Sequence, residues 1–341
     1  MCVSRHFERR RFCFADGVLR QNRADRDKSG LYFRPRSVIL ALYEAFRREG
    51  LAISTYFSKP DWHCDAYWHR AFGTAPTRNV NYDPLEHPEL WDEFVRYTHT
   101  QITELCEGYG SVDVLWLDGG WVNPDNRNQD IRMEELVGNL RRNNPGLIVC
   151  DRTVGGVYEN IVTPEKTVPE TMLPIPWETC ATLGERFAFL YSDTFKSGHE
   201  LVHLLLDIVA KGGNLALNVA PQPDGALPAT AVASLKQLGR WLSVFGEGIY
   251  QTVVCAPYVE DQLCYTKKGD TVYAFYLYGD MPQLPKWLKI STEKEVCAVT
   301  AMRTGENLEM VLAKGCVFVD TDSLSLEDAF YAEGFALKIA E

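Results

Sequence analysis

The 341-residue chain contains no apolar run near the ~18 residues that a membrane-spanning helix needs, which argues against a helical membrane protein. Its start lacks the order of a secretory signal, basic residues and then an apolar stretch, so the chain as given is expected to be cytoplasmic. Ten cysteines, at positions 2, 13, 64, 106, 150, 180, 255, 264, 297 and 316, never form Cys-x-x-Cys. That spacing offers no structural zinc site, and in a chain this long it reads as free thiols of a reducing compartment. Positive charge is scarce as well. A net charge of -11 makes nucleic acid an unfavourable partner, because phosphate recognition needs a basic face. There is no internal repeat and no low-complexity tract. "KGGN" at 211–214 lacks the spacing of a Walker or dinucleotide fingerprint and reads as a helix C-terminus with glycine. No cofactor is called for, and oligomeric state is not encoded in any pattern here.

What is present is an ordinary globular composition. Hydrophobic residues make up 46% and charged residues 24%, enough to bury a large core in roughly two domains. The charge is uneven. Residues 1–36 hold ten Lys/Arg against four acidic residues, a net +6, so the rest of the chain carries -17. This basic segment has no sustained helical or strand period and is expected to be poorly ordered or misassigned.

From 37 to 250 helical and strand periods alternate. "SVILALYEAFRREG" (37–50) is expected to be a helix with Leu42, Ala45 and Phe46 on one stripe, followed by a strand, "LAISTYFS" (51–58), and an aromatic loop (59–72). A long helix (87–110) with Pro88 in its first turn leads into the strand 111–118. Further helices are expected at 130–146, 196–213 and 228–250, with strands at 147–152 and from 214, and a long loop from 153 to about 180. Such βα units imply a parallel sheet. After 250 the pattern changes to alternating strands with a turn at Lys-Lys-Gly-Asp, which reads as an antiparallel sandwich over 251–341. The expected division is a basic segment 1–36, an α/β domain 37–250 and a β-sandwich 251–341.

Within the 37–250 domain, "SVDVLWLDGGW" (111–121) ends a buried strand on a carboxylate beside an indole. In a parallel α/β barrel the active site lies at the C-terminal strand ends. Trp116 and Asp118, two apart, point the same way. Indole and carboxylate together suit a sugar, the ring stacking while Asp118 reaches the anomeric carbon. Gly119 and Gly120 allow a tight turn or a close ligand. Read without chemistry, Asp118 caps the next segment and the glycines only turn the chain. Arg152 ends the next strand, and Tyr56 and Ser58 end an earlier one. The following loop supplies Glu159, Glu165, Glu170 and Glu178. A retaining glycosidase needs two carboxylates about 5–5.5 Å apart, one attacking and one protonating the leaving oxygen. The residues alone do not choose among the four glutamates.

"YFSKPDWH", "HPELW", "DVLWLDGGW", "CDRTVGG", "TPEK", "PWETC" and "DIVAKGGNLALNVAPQPDG" occur in this order. Together they resemble the α-L-fucosidases of glycoside hydrolase family 29 over about residues 37–250. The resemblance implies a (β/α)8-type, TIM-like barrel with a C-terminal β-sandwich and retaining hydrolysis of terminal α-L-fucose from glycans, so that a fucosylated oligosaccharide or glycoconjugate is the expected substrate. It makes Asp118 the nucleophile and Glu165 the acid/base, with Glu178 in reserve. Trp116, Arg152, Tyr56, Trp62, His63, Trp177 and Phe187 become substrate-binding residues.

Two departures stand out. Family members usually carry an early histidine pair followed by Asp-Gly-Phe, whereas the seven histidines here include no adjacent pair. "RRFCFADG" resembles an altered form of the family's Gly-Phe-Cys-Leu-Phe-Asp stretch, so the first barrel strands are expected to be missing. "ERFAF" (185–189) stands where a Trp-Gly-Tyr is frequent, with Phe187 keeping an aromatic surface. These departures make a catalytically impaired fragment or a sugar-binding pseudoenzyme the alternative. A third reading comes from "HELVH" (199–203), a literal match to the zinc-protease H-E-x-x-H. It is set aside because a third ligand is not evident and the helix is expected to face outward in the barrel pattern.

Overall fold

The structure, a computed structural model, describes residues 2–3, 12–15, 35–74, 77–152, 154–326 and 330–340, with side chains from residue 39 onward. The elements in chain order begin with strands β1 (Cys2–Val3) and β2 (Phe12–Ala15), helix α1 (Pro35–Arg48), β3 (Ala52–Ser58), α2 (Pro88–Glu107) and β4 (Val114–Asp118). They continue with α3 (Met133–Asn143), β5 (Ile148–Cys150), β6 (Trp177–Thr182), α4 (Gly198–Ala210), β7 (Gly213–Asn218) and α5 (Ala229–Phe245). Eight antiparallel strands follow: β8 (Val253–Glu260), β9 (Leu263–Lys268), β10 (Thr271–Leu277), β11 (Trp287–Ser291), β12 (Val296–Ala301), β13 (Met310–Ala313), β14 (Cys316–Asp320) and β15 (Ala332–Ile339). By residue contacts the chain divides into two compact units, Arg9–Thr163 and Met1–Glu8 with Pro164–Glu341.

In the unit Arg9–Thr163, four parallel strands lie in the order β2-β3-β4-β5. Alternation along β4 sorts its side chains between two faces. Leu115 and Leu117 join Ile53, Phe57 and Val149 in a core with Phe94, Ile102 and Leu105 of α2 and Leu136, Val137 and Leu140 of α3. Val114 and Trp116 form a separate cluster with Cys150, Tyr56 and Ile161 on the opposite face. Asp118 shares that second parity and ends the strand in register with Ser58.

Two expectations are corrected here. The buried stripe of α1 runs through Tyr43, with Ile39 and Phe46 packed beside it, while Leu42 is exposed. A tyrosine displaces the leucine because its ring meets Tyr109 edge-on at the base of α2. Residues 12–15, read from sequence as part of a periodless basic segment, form β2 in parallel register with β3, Phe12 opposite Ala52 and Ala15 opposite Thr55. A parallel strand therefore does precede β3. Most of the remaining basic segment lies outside the described residues, as does the question of its order.

In the other unit, β6 and β7 are parallel, and β1 pairs antiparallel on the far side of β7. Residues 177–182, expected to end a loop, are a strand whose buried residues include Thr179 and, on the opposite face, Thr182. The Thr179 hydroxyl donates to the Thr167 carbonyl at 2.6 Å, so polar side chains are satisfied inside the sheet. α4 starts on a capping box. Ser197 Oγ accepts from the Glu200 N–H, and the Glu200 carboxylate accepts from the Ser197 N–H at 2.8 Å. Beyond residue 250, where the sequence period changes, the strands pair antiparallel. The antiparallel strands form two sheets, β12-β15-β10-β9-β8 and β11-β14-β13, around a core that includes Tyr265, Ile290, Val299, Val317 and Phe335. Gly269 and Asp270 make the two-residue turn between β9 and β10, as the Lys-Lys-Gly-Asp signal implied.

Candidate active site

The carboxylate of Asp118 collects three donors. The Tyr56 hydroxyl donates to Oδ2 at 2.5 Å, the Gly119 N–H to Oδ1 at 2.7 Å, and Arg152 Nε to Oδ1 at 2.9 Å. β3 supplies Tyr56, β4 supplies Asp118, and Arg152 follows β5, so three adjacent parallel strands converge on one anion at their C-terminal ends. Burial is the largest influence on this carboxyl and would raise its pKa. The Tyr56 hydroxyl, the Gly119 amide and the Arg152 charge together outweigh it and hold the group below its ordinary value. Asp118 is therefore ionised at neutral pH, yet 28% of its side chain remains exposed, open to a ligand.

Trp116 lies beneath this cluster. Its ring stacks on Tyr56 with centroids 5.5 Å apart and planes 21° from parallel, and the Arg152 guanidinium sits 5.0 Å from its centroid. The two glycines have separate reasons. Gly119 adopts φ +80°, and a Cβ there would stand 2.3 Å from Pro60 Cδ. A Cβ on Gly120 would crowd the Arg152 carbonyl at 3.1 Å. Arg152 itself takes φ +51°, an uncommon conformation for a side chain of this size and one found preferentially at functional positions.

Sequence reasoning missed the layer below. Lys59 Nζ meets Asp151 Oδ1 at 2.6 Å with neither side chain exposed, and the Tyr158 hydroxyl donates to Asp151 Oδ2 at 2.9 Å. Burial pushes the Asp151 carboxyl up against the pull of Lys59 and Tyr158. The Lys59 N–H also donates to the Asp118 carbonyl at 3.0 Å, so the pair ties the ends of β3 and β5 around β4. The only signal for Lys59 was its place directly after a strand in "YFSKPDWH". A cleft of about 640 Å³ opens between the loops that follow β4 and β5, lined by Asn123, Asp125, Arg132, Gly155 and Tyr158 among others; Asp118 is not in its lining.

The other expected site residues are placed as follows. Trp62 and His63 are exposed in the loop after β3. Glu159 accepts from the Asp151 and Gly155 N–H groups, a backbone-holding role. Glu165, Glu178, Trp177 and Phe187 belong to the other unit. There Glu165 is exposed beside β6, bridged in parallel to Cys180, and Glu178 is half-buried on β6 opposite Asn214. Phe187 is partly exposed under the Lys166 ammonium, 5.1 Å from its centroid. Trp177 is 1% exposed, its indole N–H on the Lys211 carbonyl at 3.3 Å and its ring where a Cβ on Gly213 would fall, so its faces are spent inside the fold.

The H-E-L-V-H residues are occupied with structure. Glu200 is the cap of α4, its carboxyl lowered by the Ser197 bonds. His199 and His203 lie with ring centroids 3.9 Å apart and planes tilted by 40°, and their Nε2 atoms meet the Tyr278 and Tyr331 carbonyls at 3.2 and 3.0 Å. They face the sandwich strands rather than outward as expected. Among the described residues no group of three His, Cys, Asp or Glu side chains could hold a metal ion.

A family model for alpha-L-fucosidase matches residues 34–247. The chain belongs to the alpha-L-fucosidase family. Its relatives include the tissue alpha-L-fucosidase of Bos taurus, 27% identical over 260 residues, which cover 71% of this chain and 51% of that protein. The chain thus spans about half the length of the curated relatives it matches. Among solved structures, alpha-L-fucosidase isoenzyme 1 from Paenibacillus thiaminolyticus superposes with a TM-score of 0.70 at 24% identity, covering 89% of this chain and 76% of that one. A GH29 alpha-L-fucosidase from Bacteroides thetaiotaomicron, captured as a covalent intermediate with 2-fluoro-fucosyl fluoride in a Glu-to-Gln variant, gives 0.70 at 20% identity over 88% of this chain and 70% of that one. At those identities the likeness shows a fucosidase-type fold, mixed α/β with antiparallel sheets. Among the described residues no helix is long and apolar enough to cross a membrane.

Proposed function

We propose that this chain is a retaining α-L-fucosidase that releases terminal α-L-fucose from glycans by double displacement. The observation that carries the reading is Asp118, held ionised by Tyr56, Gly119 and Arg152 beside the Trp116 ring at the end of β4. In the first step Asp118 Oδ2 attacks C1 of fucose and the C1–O bond to the leaving group breaks. Glu165 gives its proton to the departing oxygen. In the second step Glu165 takes a proton from water, the water oxygen bonds to C1, and the C1–Asp118 bond breaks, returning α-fucose. Glu178 is the reserve for the acid. Arg152 and Tyr56 bind sugar hydroxyls once fucose enters, Trp116, His63 and Phe187 supply further contacts to fucose, Trp62 contacts the substrate outside the fucose ring, and Trp177 supports the strand that carries Glu178.

We read β2–β5 and β6–β7 as strands of one (β/α)8-type barrel within the 37–250 catalytic domain and its preceding segment, followed by the 251–341 sandwich. Their shared βα order supports this. The covalent intermediate captured in the Bacteroides thetaiotaomicron relative supports retention. A fucosylated oligosaccharide or glycoconjugate is the proposed substrate, and the cytoplasm of the producing cell the proposed location of the chain as given. The alternative, a sugar-binding chain without turnover, rests on the lack of an adjacent histidine pair.

The test is Asp118→Gly with added azide. Turnover of an aryl α-L-fucoside should vanish in the variant and return in part with azide, giving a fucosyl azide of inverted configuration. A variant that retains its rate within about tenfold, under ~1.4 kcal/mol of barrier, would overturn the assignment of Asp118. Wild-type protein that binds fucose without releasing it from any donor favours the sugar-binding alternative. Glu165→Ala should slow poor leaving groups far more than activated aryl fucosides; the same pattern at Glu178 instead would move the acid there.

A further inference from the structure

Trp62 is 47% exposed, yet it is not loose. Its indole N–H donates to the Arg78 carbonyl at 3.0 Å, and that of Trp68 donates to the Asn79 carbonyl at 2.7 Å. The two rings stand 5.8 Å apart at 32°, hung by their N–H groups from neighbouring residues of one backbone segment. That segment is tied in turn to the loop that follows Asp118. Asn79 Oδ1 accepts from Asn126 and Gln129, both of which also donate to the Trp121 carbonyl, and the Arg78 guanidinium lies 5.6 Å from the Trp121 ring. At its other end the Trp62 loop begins at Lys59 and Pro60, which contact Asp118 and Gly119.

A single exposed aromatic is ordinary, whereas one held in place beside a second ring offers a fixed apolar face for recognition. Here the polar edge of each indole is already used and Trp68 packs partly against the core, so the surface left for recognition is mainly the apolar ring of Trp62, backed by Trp68. We propose that Trp62 and Trp68 form the binding platform for the sugar to which fucose is attached, stacking on the C–H face of a pyranose such as galactose. This inference rests on the fucosidase reading, because it is the α-fucosyl bond that places that second ring beside Asp118. Trp62 then serves the leaving group rather than the fucose, and Trp68 joins the site.

Two substrates separate the platform from the chemistry. α-L-Fucosyl fluoride has no leaving sugar, whereas a disaccharide of fucose α-linked to galactose has one. Trp62→Ala should lower kcat/KM for the disaccharide about tenfold, the size of one lost aromatic contact, and leave the fluoride within twofold. Trp62→Phe, which keeps a ring face, should restore most of the loss. Saturation transfer from the full chain to methyl β-D-galactoside, lost in Trp62→Ala, reads the platform without turnover. An equal loss on both substrates, an unchanged disaccharide, or no Trp62-dependent saturation transfer would overturn the platform. A wild-type chain that shows the saturation transfer but hydrolyses neither substrate would keep the platform and overturn the fucosidase reading.

Discussion

Two arginine–carboxylate pairs in this chain share their chemistry and differ in outcome. In the unit Arg9–Thr163, Arg152 Nε meets Asp118 at 2.9 Å; in the other, Arg303 Nε meets Glu333 at 3.1 Å. Asp118 is held below its ordinary pKa, and Glu333 is pushed above its own. Burial is the largest influence on both and raises both. At Asp118 a hydroxyl, an amide and a guanidinium overcome it, and the side chain stays partly open. At Glu333, 1% exposed inside the sandwich, Arg303 and the Tyr278 hydroxyl at 3.3 Å do not. An arginine beside a carboxylate is therefore not in itself a reactive anion. The strand-end position makes one pair available for chemistry, and the sheet interior makes the other a piece of scaffold.

The sharpest way to break that contrast is to neutralise each acid. Asp118→Asn should cut kcat by about three orders of magnitude or more, at least ~4 kcal/mol of barrier, with an unchanged circular dichroism spectrum. Glu333→Gln should leave kcat per folded molecule within about twofold, well under ~1 kcal/mol. Next in size are the arginines. Arg303→Met strands a buried carboxylate and should cost about 3–5 kcal/mol of stability, read from the urea midpoint. Arg152→Met leaves an acid that water can still reach, so its stability cost should stay below about 1 kcal/mol while kcat/KM falls. A greater loss of stability at Arg152 than at Arg303 would contradict the distinction between the two pairs.

Much of this contrast was legible in the sequence on one side only. "DVLWLDGGW" is a short apolar run closed by an acid and two glycines, so the buried strand, the shared face of Trp116 and Asp118, and the turn after them could be read directly. β2 could not, because its four residues sit between arginine-rich stretches that break any period. β6 was hidden because Thr179, bonded to the Pro164 and Thr167 carbonyls, interrupts its buried face between Trp177 and Ala181, and Thr182 is buried on the opposite face. Lys59 and Asp151 were missed because a lysine after a strand ordinarily reads as solvated; only the buried partner makes it structural. The β9–β10 hairpin was visible from its Lys-Lys-Gly-Asp turn, whereas Arg303–Glu333 joins residues thirty apart that no local pattern links.

Backbone strain gives a smaller contrast. Gly119 and Gly315 both take positive φ, +80° and +77°, but a Cβ on Gly119 would strike Pro60 while one on Gly315 meets nothing within 4 Å. Gly315→Ala should cost about 1–2 kcal/mol for the left-handed conformation alone. Gly119→Ala should cost more and should also lower activity, because Asp118 precedes it. Equal costs in thermal denaturation would remove the packing argument at Gly119.

The smallest effect is on pH dependence. Asp118 has a folded pKa below that of its unfolded form, so its pairing stabilises the fold above the ordinary 3.8 and is lost as pH falls through the lower folded value. Glu333 runs the other way: its raised folded value means that stability falls as pH rises from its unfolded pKa through the folded one. Tyr56→Phe removes one of the groups that lower Asp118, so the acid limb of kcat/KM should move up in pH, whereas Tyr278→Phe should leave that limb in place. An acid limb that stays fixed in Tyr56→Phe would mean that the Tyr56 hydroxyl does not control the ionisation of Asp118.

The most direct measurement is to trap the sugar on the protein. Incubation with 2-deoxy-2-fluoro-α-L-fucosyl fluoride, followed by proteolysis and mass spectrometry, should place one 2-fluorofucosyl group on the peptide containing Asp118, and none on Asp118→Asn. Labelling of another carboxylate, or steady turnover of fucosides by a wild-type chain that never carries the label, would contradict Asp118 as the nucleophile.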